Sequence, residues 1–313
     1  MYDKQFIANA IERSAETPVD RRRLLTLTGL AGAGAAAAAF LPAGAASADT
    51  GGVSDATVLN FALNLEYLEA EFYLRAAYGE GLPESMTTGK GERGRVSGGH
   101  RVPFRSRKIK NYAHEIAKDE KQHVEFLRAA LGTARVAQPR IALDAAFTAA
   151  ATAAGVIKPG QKFDAFANDV NFLLAAFIFE DVGVTAYKGA APLITNKTYL
   201  EAAAGILAVE AYHAGLIRGA LYDEGFEVTG IFDTVKKISD ARDSLDGKGD
   251  DDQGIGTAST ANLVPTDNNG IAYSRSAAQV LNVVYLNPKS VSKGGFFPTG
   301  VNGAVNTSAG PTS

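Results

Sequence analysis

Cysteine is absent from all 313 residues. That removes disulfides, thiolate metal sites, iron–sulfur clusters and cysteine-based peroxidase chemistry. A chain of this length does not need disulfides to fold, so the lack is compatible with export. Tryptophan is also missing, and histidine occurs only four times. An excess of one charge is lacking too: 31 Lys and Arg against 34 Asp and Glu leave a formal −3. No basic face carries interleaved aromatics, which excludes a nucleic-acid partner. A convincing N-terminal membrane span is missing as well. Residues 24–41 are too short and too rich in Gly and Ala for a span of about 20 strongly apolar residues.

What is present is an ample apolar fraction of 46%, inflated by alanine, which suits closely packed helices. Residues 1–48 read as an export signal, to be set aside from the fold. Arg21-Arg22-Arg23-Leu24-Leu25 follows a polar stretch, a weakly apolar segment runs to Leu41, and Ala46-Ser47-Ala48 offers a cleavage site. This is a twin-arginine signal in form, implying the twin-arginine export machinery as a partner and the periplasm or cell envelope as destination.

Two copies of one pattern organise the rest. Glu120 and His123 stand three apart, as do Glu210 and His213, and the offsets to Arg128, Ala130 and Leu131 repeat in Arg218, Ala220 and Leu221. Each copy is preceded by a second pair seven apart, Glu66 with Tyr73 and Glu180 with Tyr187. Positions i, i+3 and i+7 share one face of an α-helix. The neighbours show which face: Leu59, Leu63, Glu66, Ala70 and Tyr73 step by fours and threes, and so do Phe166, Val170, Leu173, Phe177, Glu180, Val184 and Tyr187. Ile116, Glu120, His123 and Leu127, and Ile206, Glu210, His213 and Ile217, do the same. Every acid thus sits on a stripe expected to face the core.

A single E-x-x-H is most often a solvated pair on a helix surface. Two copies on apolar stripes are another matter, because a buried carboxylate costs several kcal/mol unless it is paired or binds metal. Four carboxylates and two imidazoles on four segments suit two divalent cations in the middle of a helix bundle. His100 and His114 are expected to be non-ligands. Glu69, one turn from Glu66, is an alternative to it, disfavoured because only Glu66 keeps the spacing to Tyr73 that Glu180 and Tyr187 mirror.

With these motifs the chain resembles the ferritin-like, di-iron carboxylate four-helix bundles. More narrowly it resembles the ferritin-like proteins labelled desiccation-related, through N-F-A-L-N-L-E-Y-L-E-A-E-F-Y (60–73), F-E-D-V-G-V-T-A-Y-K-G-A-A-P-L (179–193) and G-G-F-F-P-T-G-V-N-G (294–303). The resemblance implies Glu66 and Glu180 as terminal ligands, Glu120 and Glu210 as bridging ligands, and His123 and His213 each on one metal. Tyr73 and Tyr187 would support them by hydrogen bonds; their alternative is as ordinary core aromatics.

The expected fold is all-α, a ferritin-like four-helix bundle over 49–225 with a long crossover between helices two and three. A C-terminal extension over 226–303 would wrap the bundle, and 304–313 would be a disordered tail. Helix one is expected from Ser54 to about Gly79, helix two over 108–131, helix three over 163–189 and helix four over 198–222. Further helices are expected over 143–154 and 228–245, and 276–286 is apolar enough to pack on the bundle. The basic stretch 79–107 is expected to be a flexible surface excursion, with a lid or an anionic envelope contact as its functional alternative. The acidic loop at 247–254 lacks the spacing of a calcium-binding EF-hand.

Carboxylate and imidazole ligands suit Fe, Mn and Zn. The expected cofactor is two Fe or Mn ions, acting on O2 or peroxide in iron oxidation or peroxide removal during stress or drying. The alternative is a structural or protective envelope protein whose metal, if bound, only stabilises the fold. Assembly into a homo-oligomer stays open.

Overall fold

Ser54 opens the first helix: its side chain accepts the Thr57 N–H, and α1 runs over Asp55–Tyr78. Gly79, at φ 85°, closes it by donating its N–H to the Arg75 carbonyl in the left-handed conformation that glycine adopts without steric cost. The structure is a computed structural model that describes residues 53–249 and 251–310. The signal expected over 1–48 therefore lies outside the described residues.

α2 spans Arg107–Leu131, α3 Leu143–Ala153, α4 Asp169–Ala190 and α5 Lys197–Glu227. α6 (Ile231–Asp243) and α7 (Ala277–Val284) follow. α1 packs chiefly on α2 and α4 chiefly on α5, and contacts between α1 and α4 and between α2 and α5 close the four-helix bundle. The fold is all-α apart from two small pairings. Val96–Ser97 (β1) runs parallel to Ile141–Ala142 (β2), and Gly256–Thr257 (β3) pairs antiparallel with Thr260–Ala261 (β4).

The crossover between α2 and α4 covers 132–168 and contributes to the core rather than merely bridging. Phe147 of α3 meets Phe72 of α1 at 5.3 Å, Phe179 of α4 at 5.4 Å and Phe296 of the C-terminal extension at 5.0 Å between ring centroids. Such tilted and edge-on pairs are the favourable aromatic geometry. With the crossover and the extension covering their outer faces, α1 and α4 are buried nearly all round.

The structure corrects four expectations. α4 starts at Asp169, not 163, because Asn168 caps it by accepting the Asn171 N–H, while Phe163 and Phe166 pack from a loop braced by Thr148 and Asp164. α5 continues to Glu227 because Tyr222 and Phe226 still find a partner in Phe232, at 5.4 and 5.7 Å.

The stretch 79–107 is not a free excursion. The guanidinium of Arg128 donates to the carbonyls of Thr88 (2.7 Å) and Ser85 (3.0 Å), and β1 is paired to β2. Residues 304–310, expected to be disordered, are tied down. Ser308 donates its N–H to the Val291 carbonyl (2.8 Å), Ala309 to that of Ala278 (3.0 Å), and the Asn282 side-chain amide donates back to the Ala309 carbonyl. The tail's residue types did not reveal these bonds, since the tail takes part through backbone N–H and C=O groups that its residues share with most others.

Candidate metal centre

Glu66 on α1, Glu120 on α2, Glu180 on α4 and Glu210 on α5 are at most 1% exposed, and His123 and His213 are buried beside them. The six converge as two groups that share one member. Glu66, Glu120, His123 and Glu210 each offer a ligand atom within 4.8 Å of the others, and Glu120, Glu180 and His213 do the same. His123 Nδ1 lies 3.2 Å from Glu66 Oε2, 3.5 Å from Glu120 Oε2 and 3.6 Å from Glu210 Oε1. His213 Nδ1 lies 3.1 Å from Glu120 Oε1 and 3.6 Å from Glu180 Oε2. Glu120 thus turns one oxygen toward each group.

The tyrosines cross the bundle. Tyr73 on α1 donates its hydroxyl to Glu180 on α4, and Tyr187 on α4 donates to Glu66 on α1. Numbers rise along one helix as they fall along the other, so α1 and α4 run antiparallel here. Each seven-residue spacing therefore serves the glutamate of the opposite helix rather than its own.

The inner atoms have nothing else to bind. Glu66 Oε2, Glu180 Oε2, both oxygens of Glu120 and of Glu210, and Nδ1 of His123 and His213 are buried without a hydrogen-bond partner. Buried polar atoms are nearly always satisfied, so so many orphans facing one another define a missing positive centre. Carboxylate oxygen and imidazole nitrogen are the donors that Fe, Mn and Zn accept. The residues present fit a dinuclear cation site.

Without cations, protons must do the balancing. Burial, followed by the Glu120 charge acting against His123, pushes Glu66 up to about 7. Burial likewise pushes Glu180 up to about 8, with His213 opposing. Burial disfavours charge on the imidazoles, yet the carboxylates around them push His123 up to about 11 and His213 up to about 10. Burial opposes charge on Glu120 too, but contact with both rings holds it below the ordinary range.

In the metal-free protein the folded state therefore keeps protons on Glu66 and Glu180 that the unfolded chain gives up near 4.5, and stability falls as pH rises through about 8. The imidazoles act in the same direction. Their contribution is whole below about 6.5 and is lost as pH rises through about 10 and 11. Glu120 is ionised in both states across this window and adds nothing. The expected result is a melting-temperature gap between metal-loaded and chelator-stripped protein that is wider at pH 8 than at about pH 5.5. A gap that stays constant would mean that protons and cations do not compete for these groups.

Three contributors take roles that the sequence reading did not assign. Asp119 Oδ2 stands 3.4 Å from His213 Nε2, the outer nitrogen of that ring. Its counterpart before Glu210 is Val209, so the repeat carried no signal for it. Glu69 does not replace Glu66. It is a further buried carboxyl at the edge of the cluster, pushed well up by burial and by Glu120, Glu66 and Glu180.

The third is the role of the repeated arginines. Arg128 reaches the Tyr67 hydroxyl (2.6 Å), one residue past Glu66, and Arg218 reaches Asp181 (2.7 Å), one residue past Glu180. His114 lies apart, edge-on to Tyr78, and His100 pairs with Asp164 at the surface.

The geometry defines a helix-bundle protein with a buried cluster of carboxylates and imidazoles that could hold metal. The ferritin-like domain family matches residues 54–223, more than half of the chain, and the protein belongs to that family. It is similar to the desiccation-related protein PCC13-62 of Craterostigma plantagineum, 32% identical over 274 residues, covering 80% of this chain and 83% of that one. It is also similar to the ferritin-like catalase Nec2 of Nesocodon mauritianus, 28% identical over 282 residues, covering 82% of this chain and 87% of that one. No solved structure matches.

Proposed function

We propose that this is an exported ferritin-like protein that holds two Fe or Mn ions and uses them to remove peroxide or oxidise Fe(II) in protection against drying and related stress. The observation that carries this reading is the set of unpartnered buried oxygens and imidazole nitrogens in two groups that share Glu120. The similarity to a protein named as a catalase and to one named as desiccation-related supports both halves of it. The signal-like segment at 1–48 supports export to the periplasm or cell envelope.

Two such ions held close together would exchange two electrons with O2 or peroxide. The chain's own residues do the rest. Glu66 and His123 would hold one ion and Glu180 and His213 the other, with Glu120 facing both groups and Glu210 in the first. Tyr73 and Tyr187 hold the outer oxygens of Glu180 and Glu66 and keep those carboxylates aimed inward. Asp119 orients the His213 ring from behind. Glu69, favoured in its protonated form by burial, can hold a proton at the edge of the site.

The test is metal content by mass spectrometry on protein purified from its export compartment without added metal, followed by peroxide consumption and Fe(II) oxidation. About two Fe or Mn per chain with turnover over many cycles is the expected result. A well-folded protein without stoichiometric metal would replace this reading with a purely structural or protective role.

A further inference from the structure

Two apolar cavities lie next to each other between the metal ligands and the outer face of the C-terminal extension. The outer one, about 90 Å³, is walled by α3, α4, α6 and α7 through Phe147, Ala151, Leu174, Ile238 and Leu286. The exposed Ala153 and Ser244 stand at its rim. The inner one, about 20 Å³, is lined by Leu65, Leu68 and Phe296 and ends on Glu69 and Gly183. Ile178 of α4 and Val283 of α7 line both, so these two side chains form the partition.

Gly183 opens the inner end. A Cβ at this position would collide with Glu210 Oε2 and stand 3.5 Å from Glu69 Oε1. A larger residue on this turn of α4 would displace Glu210, which belongs to the ligand cluster. Gly183 thus borders the inner cavity on one side and Glu210 on the other, and Glu69 is the carboxyl that lines the cavity itself.

The walls decide what can occupy this space. Dry apolar cavities take up small apolar molecules such as xenon, and a space of about 10–15 Å³ by this measure already admits one water-sized molecule. Peroxide carries two hydroxyls that meet polar groups only at Arg242 and Ser244 of the outer cavity and at Glu69 of the inner one, and on the aliphatic and phenyl stretch between them they would go unpartnered at a cost of several kcal/mol. Dioxygen has the right size and carries no such penalty.

We propose that the two cavities form a path for dioxygen between the surface and the metal centre, on which peroxide does not travel. The path rests on the function proposed above, in which dioxygen is either consumed with Fe(II) or released when peroxide disproportionates to water and dioxygen. Val283 and Ile178 act as its gate, and Gly183 as its inner mouth.

Crystals of the full chain pressurised with xenon should show the gas in the outer cavity, and crystals pressurised with dioxygen should show it in the inner one. Val283→Phe should empty the inner cavity. It should also slow oxidation of the Fe(II)-loaded protein by dioxygen at least about tenfold, with metal content unchanged and oxidation of the same Fe(II)-loaded protein by peroxide, which releases no dioxygen, little altered. Ala153→Trp, at the exposed rim, slows the dioxygen reaction in the same way and keeps the test alive if Val283→Phe does not fold. Gas in neither cavity, a dioxygen rate unchanged in both variants, or equal slowing toward dioxygen and peroxide would each overturn the path. Failure of the function itself would show separately, as a protein that admits both gases but takes up no metal.

Discussion

Replacing Glu120 and Glu210 together by alanine is expected to abolish metal uptake. Glu120 turns Oε2 toward His123 and Oε1 toward His213, so its removal takes a ligand from both groups at once. Glu210 supplies the group around His123 from the opposite side of the bundle. What remains for each ion is one carboxylate and one imidazole, too few donors for a protein-held Fe or Mn site.

The change has a second, opposite consequence. Stripped of metal, the wild-type bundle confines carboxylates that repel one another and are penalised by burial, as the upward displacement of Glu66, Glu180 and Glu210 shows. The double variant relieves that strain, so it should melt above the metal-free wild type and below the metal-loaded one. Mass spectrometry of metal content and calorimetry of the three forms check this together. His114→Ala, away from the cluster, serves as control and should load metal normally. Unchanged metal content in the double variant would remove these residues from the ligand set.

Arg218→Ala should cost about 3–5 kcal/mol, the range for deleting one partner of a buried charge pair. Arg218 is fully buried. Its guanidinium donates to Asp181 at 2.7 Å and to the carbonyls of Gln253 (3.0 Å), Gly254 (2.7 Å) and Asn262 (2.6 Å). Deleting it leaves Asp181 to Arg242 alone and three carbonyls without that donor. Because those carbonyls belong to the extension and Asp181 adjoins Glu180, the loss should appear in two places. Denaturant unfolding should report the lost stability, and limited proteolysis should find new cleavage around 253–262. Should the alanine variant not accumulate, Arg218→Lys keeps the charge beside Asp181 and loses the planar fork, so cleavage around 253–262 should rise with a smaller loss of stability. A cost under about 1 kcal/mol, typical of a surface pair, would show that the clamp is not what holds the extension.

Much of the centre could be read without coordinates because its code is local. A three-residue spacing of Glu and His on an apolar stripe can point only one way once the segment is helical, and two copies give two matched halves of the cluster. The ends of α1 were legible for the same reason: Ser54 and Gly79 cap by chemistry that involves their own neighbours. The start of α4 was not, since Phe163 and Phe166 continue the apolar pattern into a loop, and a pattern of hydrophobicity does not register where the backbone leaves the helix. Asp119 escaped because it occurs in only one of the two repeats.

The sequence alone determined the all-α bundle and the four glutamates and two histidines that meet at its centre in two matched halves, because helical periodicity converts spacing into direction. Only the tertiary structure decided which partners meet. Tyr73 and Tyr187 serve each other's helices, Arg128 and Arg218 hold down the 85–88 segment and the 253–262 loop, and Gly183 lets Glu210 pack against the backbone that lines an apolar cavity. Those outcomes depend on how α1, α4 and the extension approach one another across long sequence separations. The arginines end on backbone carbonyls, which any residue carries, and the tyrosines on carboxylates more than 100 residues away, so neither pairing leaves a mark in the local order of side chains.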